Sequence, residues 1–381
     1  MEPDRVTNPS DAGWLAASTL LGHVISWACI GLGLTFIIVT LISMFSTGLL
    51  NRRRRDGVAD LVRRVILAAF AARHRGQPFE HIQRGMGWLF PVFIVCLVGT
   101  WFAFMQAGFT LILWASGAEP TWLNAFLSSG SALSTLGFLT PTNVLGRLLA
   151  ILEGAFGLGI IVFIFTFLPG YQAAIRDREQ EVAWLYARTG PTGDGASLLE
   201  WFWRAHRSDA LDDAWENWEG FFRGLVESHT INPMLSLVPT VHAGQSWVVA
   251  SVRILDAAAL AASTVRVPSP ETASLCVALG AGALAEIDAA LSPLAAVRQD
   301  SHGAGPPGLE RTDLAAHAAL YDRLAAAGIP VVEDREAARK AYCELRQSYM
   351  PHLLRIARVA LVPEEMVRGQ GAPLLHEAKP A

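Results

Sequence analysis

The chain has 381 residues, of which 52% are hydrophobic and only 17% are charged. A soluble protein of this length is normally more charged, so a membrane-embedded part is expected. The charge is also uneven, with 11 Arg and 8 acidic residues up to Tyr171 against 19 basic and 26 acidic residues after it. Because nucleic-acid binding needs a cationic face that displaces counterions from phosphates, the acidic second half argues against a nucleic-acid partner.

Several further classes of protein are disfavoured by what the sequence lacks. The four cysteines are far apart, form no CxxC pair and lie in apolar stretches, so neither a zinc site nor a disulfide framework is expected. No Ser-His-Asp, HExxH or Walker pattern stands out, and Gly280-Ala281-Gly282 lies inside an apolar helical run rather than after a strand. We therefore expect no enzyme and no bound cofactor.

Three apolar stretches are long enough to cross a hydrocarbon core of about 30 Å, which takes roughly 20 helical residues. They are Val24 to Leu50, Gly87 to Trp114 and Leu148 to Pro169. Each is expected to be a helix, because backbone amides that face lipid have no other way to pair. The N-terminus lacks the basic region of a signal peptide, so the first stretch is predicted to be a retained span.

Arginine predicts the orientation of these spans. Residues 51–86 hold nine Arg and three acidic residues, whereas residues 115–146 hold a single charged residue, Glu119. By the positive-inside rule, the first loop is cytoplasmic and the N-terminus lies outside the plasma (inner) membrane. Within that loop, Asp60 to Ala72 fits a short helix, either an interfacial helix on anionic lipid or simply part of a basic loop that fixes topology.

Residues 172–381 are predicted to be all-helical, because apolar residues recur there at helical spacing and no run alternates with a period of two. Ser269-Pro270-Glu271 marks a helix start and Gly328-Ile329-Pro330 a helix end. Arg253 and Asp256 are expected to form a buried pair, with each other or across a subunit boundary. The expected linkers are Gly190 to Gly195 and Asp300 to Gly308.

The segment between the second and third spans is too apolar for a simple loop and too short to cross the membrane and return. Thr121 to Ser134 fits a half-helix, with Pro120 at its first turn. Ser134-Thr135-Leu136-Gly137-Phe138 follows. A half-helix that aims its carbonyl end inward, followed by an extended segment with a Gly, makes a cation site without side-chain charge. We therefore predict a re-entrant pore helix and filter loop.

The sequence SALSTLGF, followed by a span that begins Gly146-Arg147-Leu148, resembles the pore signature of the two-span potassium channel superfamily. In that family the filter reads Thr-Val-Gly-Tyr-Gly-Asp, and four subunits line their carbonyls around one axis. The resemblance covers residues 87–171 and implies a homotetrameric potassium channel. The ion-coordinating residues it implies are Thr135, Leu136, Gly137 and Phe138. After Phe138, however, Leu139-Thr140-Pro141 replaces the family's second Gly and its Asp, which puts strict selectivity for potassium over sodium in doubt.

Two alternatives stay open at this point. A filter with one Gly that ends in Phe is also similar to the Trk and Ktr potassium transporters, although those carry four such repeats and this chain has one. A Ktr-like uptake subunit is therefore one alternative, and a non-conducting membrane-anchored scaffold or sensor is the other. The cytoplasmic part, with Ser246-Trp247, is similar to that of bacterial proteins that carry this pore, and it is expected to assemble or regulate the pore.

Other residues are assigned to the support and movement of the pore. Glu153, early in the third span, either braces the filter through Ser131 or Ser134 or reaches water at the outer interface. A set of small or helix-breaking residues forms a gating hinge or merely allows close helix packing. That set is Gly154, Gly157, Gly159, Pro169 and Gly170. The predicted organisation is an extracytoplasmic N-terminus with the first span (residues 1–50), a basic cytoplasmic loop (51–86), a pore module (87–171) and a helical cytoplasmic domain (172–381).

Overall fold

The structure, a computed structural model, describes residues 9–48, 56–74, 77–295 and 311–369. Helix accounts for 82% of it and the described residues contain no strand, so the all-α prediction is confirmed. An isolated antiparallel bridge joins Val265 to Val331. The helices are α1 Pro9–Gly48, α2 Gly57–Arg73, α3 Phe79–Met86, α4 Leu89–Ala115, α5 Trp122–Leu133, α6 Val144–Thr189, α7 Gly195–Arg204, α8 Leu211–Ile231, α9 Trp247–Ser263, α10 Pro270–Ala295, α11 Arg311–Ala326, α12 Arg335–Ala360 and α13 Glu364–Arg368.

Four helical stretches within the described residues are long and apolar enough to cross a membrane, as in a multi-pass membrane protein. They are Gly22–Thr47, Phe79–Ala115, Val144–Thr189 and Pro270–Leu294. The first three overlap the predicted spans, although the second stretch begins earlier, at Phe79, and the third continues to Thr189. The fourth, in α10, is not among them and is the least apolar of the four. Its acidic residues, Glu271, Glu286 and Asp288, weaken the signal of a span in the sequence.

The chain divides into two compact units. The first unit comprises Met1–Val62 and Ile94–Pro169, and the second comprises Arg63–Phe93 and Gly170–Ala381. In α6 the division falls between Pro169 and Gly170, yet the helix continues through both residues to Thr189. The predicted span ends there, but the helix does not, since a proline inside an apolar helix is tolerated where neighbouring groups satisfy the freed carbonyl.

In the first unit, α1 and α4 cross at a pair of glycines. A Cβ on Gly33 would lie 2.6 Å from the carbonyl oxygen of Gly108, and a Cβ on Gly108 would lie 2.8 Å from that of Gly33. The two backbones therefore touch, as small residues allow at helix crossings in membranes. The indole N–H of Trp101 also donates to the hydroxyl of Ser43 at 2.9 Å, which adds a polar contact between the same helices.

In the second unit, the core lies among α8, α9, α10 and α12, which pack against one another. Its largest buried side chains are aromatic, and they include Trp215, Trp218, Phe222, Trp247 and Tyr349. Aromatic side chains of this size contribute much of the apolar area that a helical core buries. The acidic residues of this half of the chain lie mainly outside that core, which matches an apolar interior under a charged surface.

The predicted pair of Arg253 and Asp256 does not form within the chain. The guanidinium of Arg253 donates to the carbonyls of Gly190 and Pro191, at 3.0 and 2.7 Å. Asp256 instead accepts from Tyr349 on α12 at 2.6 Å and from Arg346 at 3.0 Å. The two side chains leave α9 in different directions and each anchors another segment, a long-range choice that helical spacing alone does not reveal.

Most of the local helix and linker predictions agree with the structure. The helix predicted at Asp60 to Ala72 lies within α2, and α10 begins at Pro270 as its start signal indicates. Gly328 follows α11 with a φ of +75°, the left-handed conformation typical of a helix end. The linker at Gly190 to Gly195 separates α6 from α7, whereas the linker at Asp300 to Gly308 lies outside the described residues.

Candidate functional site

The short helix α5 lies where the half-helix is predicted, between α4 and α6. It begins at Trp122, so Pro120 precedes the N-cap and does not lie in the first turn as predicted. Thr121 precedes it in an extended conformation, and its hydroxyl accepts from the backbone N–H of Asn124 at 3.1 Å. This is an N-cap, which satisfies one of the amides left open at a helix start. The helix ends at Leu133, and ten non-helical residues follow before α6 begins at Val144.

The backbone after α5 switches between negative and positive φ angles. Ser134 has a φ of −77°, Thr135 of +58° and Gly137 of +69°, whereas Leu136 between them is not in the positive region. A β-branched residue such as Thr135 rarely adopts positive φ, and strain of this kind concentrates at functional sites. The segment is thus compact rather than extended as predicted, because its amides fold back onto the end of α5.

Ser131 holds this segment from behind. Its carbonyl oxygen accepts from the N–H groups of both Leu136 and Gly137, each at 3.1 Å. Its hydroxyl accepts from the N–H of Leu139 at 2.9 Å. By contrast, the carbonyl oxygens of residues 135–138 receive no hydrogen bond from any residue that the structure describes. Carbonyl oxygens without a donor in the protein are open to water or to a cation.

The loop borders an open cavity of about 300 Å³. Ser131, Thr135, Gly137 and Thr140 line it, and the side chains of Leu136 and Phe138 are exposed. Arg147 is the charged residue among the described residues of its lining, and its Nε donates to the carbonyl of Pro141 at 3.2 Å. The described residues that line the cavity include no carboxylate, so its oxygen acceptors are backbone carbonyls and hydroxyls.

Glu153 supports α5, but through a hydroxyl that differs from the predicted ones. The carboxylate is fully buried, and the hydroxyl of Ser129 donates to its Oε1 at 2.5 Å. Ser131 and Ser134 are not its partners: Ser131 faces the loop, and Ser134 donates to the carbonyl of Gly130 at 2.6 Å. Oε2 has no hydrogen-bond partner among the described residues. The alternative that Glu153 reaches water does not match this burial.

A second carboxylate braces α5 and was not singled out from the sequence for this role. Glu119 is buried and accepts from the hydroxyl of Ser128 at 2.6 Å. The two neighbouring serines, Ser128 and Ser129, thus each donate to a carboxylate, one from the residues before α5 and one from α6. In the sequence, the only sign of this contact is a Glu just before the helix start and a Ser-Ser pair two turns into the helix. Such a pattern is too common to predict a hydrogen bond.

The candidate hinge residues lie in different surroundings. A Cβ on Gly157 would lie 2.0 Å from the carbonyl oxygen of Leu133, so α6 touches the end of α5 there. A Cβ on Gly154 would lie 3.3 Å from that of Ala132, a closer contact than usual. Gly159 and Gly170 face open space. Close packing therefore accounts for Gly157, while a hinge at the other positions, including Pro169, stays a prediction.

Similarity to known proteins does not identify the chain. No protein-family model, curated protein or solved structure matches it. The resemblance to a potassium-channel pore signature therefore depends on residues 131–138 and their flanks. It stays a prediction, and the contacts of these residues carry the functional argument.

In the second unit, the side chain of Gln83 on α3 organises the 239–246 loop, which precedes α9. Its amide nitrogen donates to three carbonyl oxygens, and its amide oxygen accepts from the N–H of Gly244 at 3.0 Å. The three carbonyls are those of Thr240 at 2.8 Å, His242 at 2.9 Å and Gln245 at 3.3 Å. From α6, Glu179 accepts from the N–H of Val241 at 3.0 Å. The loop thereby ties α3 to the end of α6.

The buried charged and titratable side chains near this loop make structural contacts. Arg178 is almost fully buried, pairs with Glu179 at 2.8 Å and donates to the carbonyl of Leu235 at 3.0 Å. Burial holds the pKa of His229 well below its usual value, and the positive charge of Arg178 lowers it further. His229 therefore stays neutral around pH 7. The described residues contain no group of three His, Cys, Asp or Glu side chains placed to hold a metal.

We expect the variant Glu153→Met to be more stable than the parent and to conduct less. The substitution removes a buried carboxylate oxygen that has no partner, an arrangement that costs about 1–3 kcal/mol. Ser129 keeps an acceptor, because its hydroxyl also lies 3.2 Å from the carbonyl of Gln106. Thermal unfolding in detergent measures the first effect and bilayer current the second.

Glu153→Gln is the matched control, since it keeps the shape of the side chain and an oxygen for Ser129. It should conduct more than Glu153→Met. A Glu153→Met protein that conducts like the parent would show that Glu153 has no part in bracing the loop.

Proposed function

We propose that the chain is one subunit of a cation channel, with potassium as its permeant ion. The observation that carries this proposal is the one-sided hydrogen bonding of the loop after α5. The amides of Leu136 and Gly137 are held by Ser131, whereas the carbonyls of residues 135–138 accept no hydrogen bond from the described residues. Carbonyl oxygens that replace an ion's hydration shell are the basis of potassium filters.

The channel is a homotetramer in this proposal. One chain supplies one loop, which is a quarter of the ring of carbonyls that surrounds an ion in a pore-loop channel. The positive φ of Thr135 supports a functional role for this loop, because strained backbone of this kind clusters at functional sites. The residues after Phe138, Leu139-Thr140-Pro141, leave room for fewer coordination sites than in the family, so selectivity over sodium is expected to be weaker.

In the proposed topology α1, α4 and α6 cross the plasma membrane, and α5 with its loop enters from outside. Trp88 and Trp114 are both exposed and are separated by 26 residues, about 39 Å of helix. This matches the interval between the two interfaces, where Trp is enriched. The nine arginines of residues 51–86 support, by the positive-inside rule, an N-terminus outside and a second half of the chain in the cytoplasm.

The fourth apolar helix, α10, is assigned to the cytoplasmic domain and not to the membrane. It packs against α8, α9 and α12. Its Asp288 accepts from Arg355 at 2.7 Å and lies 2.9 Å from Nδ1 of His352. A charged cluster of this kind is unfavourable against lipid, whereas an apolar helix is normal inside a helical core.

The helical cytoplasmic domain assembles or regulates the pore in this proposal. The 239–246 loop supports such a role, because its carbonyls accept hydrogen bonds from Gln83, shortly before α4, and its Val241 N–H donates to Glu179 in the later part of α6. A change in the conformation of this loop would therefore act on both helices that flank the proposed pore loop in the sequence. No ligand-binding motif identifies the stimulus.

Recording from the purified full-length protein in planar bilayers tests the proposal. We expect cation current, and reversal potentials in mixed sodium and potassium give the selectivity. Silence from a folded tetramer would overturn the channel assignment in favour of a scaffold or sensor. Rescue of growth in potassium-uptake-deficient cells without single-channel currents would instead point to a Ktr-like uptake subunit.

A further inference from the structure

The helix α2 exposes apolar side chains on one face. The side chains of Leu61 and Val65 are 57% and 60% exposed, although both are large and apolar. Ile66 and Leu67, which point the other way, are buried. A helix that only needed to cover the protein beneath it would place polar residues on its outer face.

The exposed face also carries positive charge. At 3.6 residues per turn, Leu61, Arg64, Val65 and Ala68 share one side of α2. Arg73 is exposed in the last turn. Residues 51–86 as a whole hold nine Arg against three acidic residues. Apolar side chains flanked by arginines are the pattern of helices that lie in the headgroup layer of anionic bilayers.

A polar contact fixes the start of α2 next to the end of α1. Oδ2 of Asp56 accepts from the hydroxyls of Ser43 at 2.7 Å and Thr47 at 2.9 Å, both in the last turns of α1. Oδ1 of the same residue accepts from the N–H of Val58 at 3.0 Å, at the start of α2. The stretch Gly22–Thr47 is long and apolar enough to cross a membrane, so α2 begins where such a span would leave the bilayer.

We propose that the exposed face of α2 lies in the headgroup layer and binds anionic phospholipid. Leu61 and Val65 enter the boundary between headgroups and acyl chains, and Arg64 and Arg73 pair with lipid phosphates. The positive charge of this face complements an anionic lipid surface. Each arginine close to such a surface raises the affinity for it about fivefold. The proposal needs α1 to cross the membrane, but it does not depend on conduction by the loop around Gly137.

The test uses the full-length chain, with its four native cysteines replaced by alanine and a fluorophore on Ala68→Cys. The protein is reconstituted in nanodiscs that contain both phosphatidylglycerol and phosphatidylcholine, with bromine quenchers on one lipid or the other. We expect brominated phosphatidylglycerol to quench the fluorophore more strongly than brominated phosphatidylcholine. High salt should reduce this preference, because it screens the arginines.

Two sets of variants decide the assignment. Arg64→Gln with Arg73→Gln should lower the preference for phosphatidylglycerol, by up to about fivefold for each arginine. Arg84→Gln, an exposed arginine on α3, is the matched control and should leave the preference unchanged. Equal quenching by the two lipids would overturn the proposal, as would quenching only by aqueous iodide. Because no current is measured, these outcomes are separate from the test of the channel.

Discussion

Gly137→Ala should abolish cation current, whereas Gly117→Ala should leave it unchanged. The two glycines form a matched pair, since their φ angles are +69° and +70° and neither would place a Cβ within 4 Å of another group. An L-residue in this left-handed conformation costs about 1–2 kcal/mol at either position. The cost to stability is therefore the same, and only the location differs.

The expected loss of current at Gly137 follows from how the backbone relieves that strain. Rotating the peptide between Leu136 and Gly137 breaks the hydrogen bond from Gly137 to Ser131 and turns a carbonyl away from its neighbours. A ring of four such carbonyls would then lose its shape in a tetramer. At Gly117, in the turn after α4, the same rotation affects no proposed ion ligand.

Bilayer recordings of both variants, with thermal unfolding to confirm equal stability, give the measurement. Equal currents from the two variants would show that the backbone of Gly137 does not coordinate the permeant ion. Loss of current from both would show that strain alone disables the protein. Either result would count against a filter at residues 135–138, because the loss of current would then not depend on the backbone of Gly137.

Much of the first unit could be predicted because its signals are local. Spans are visible as runs of apolar residues, and a half-helix is visible from Pro120 and the periodicity that follows it. Gly137 stood out because few residues can turn a carbonyl in a confined loop. What the sequence could not reveal is which hydroxyl meets Glu153, since Ser129, Ser131 and Ser134 are all within reach of a neighbouring helix.

The second unit was less predictable, because its decisive contacts join residues far apart in the chain. Gln83 and Gly244 are separated by 161 residues, and Arg346 and Asp256 by 90. Neither pair leaves a signature in local spacing. The continuation of α6 beyond Pro169 was also hidden, because a proline normally ends a helix in water but is tolerated within an apolar helix. Periodicity did suffice for the helical class of this unit.

Gly157→Ala should destabilise the protein strongly, whereas Gly159→Ala should be tolerated. The added methyl group on residue 157 would lie 2.0 Å from the carbonyl oxygen of Leu133, whereas nothing lies within 4 Å of the corresponding position on residue 159. A clash with backbone cannot be relieved by rotating a side chain, so we expect a loss at the upper end of the 1–3 kcal/mol typical of overpacking. Thermal unfolding and the survival of the oligomer in detergent measure it.

The same pair of variants separates close packing from a gating hinge. If α6 bends at its glycines, Gly159→Ala should stiffen the helix and change the open probability, while raising stability by up to about 1 kcal/mol, because alanine favours helix over glycine by that amount. If the glycines only allow α6 to approach α5, Gly159→Ala should conduct like the parent. A stable Gly157→Ala protein with normal current would contradict the contact between Gly157 and Leu133, and with it the position of α5 behind the loop.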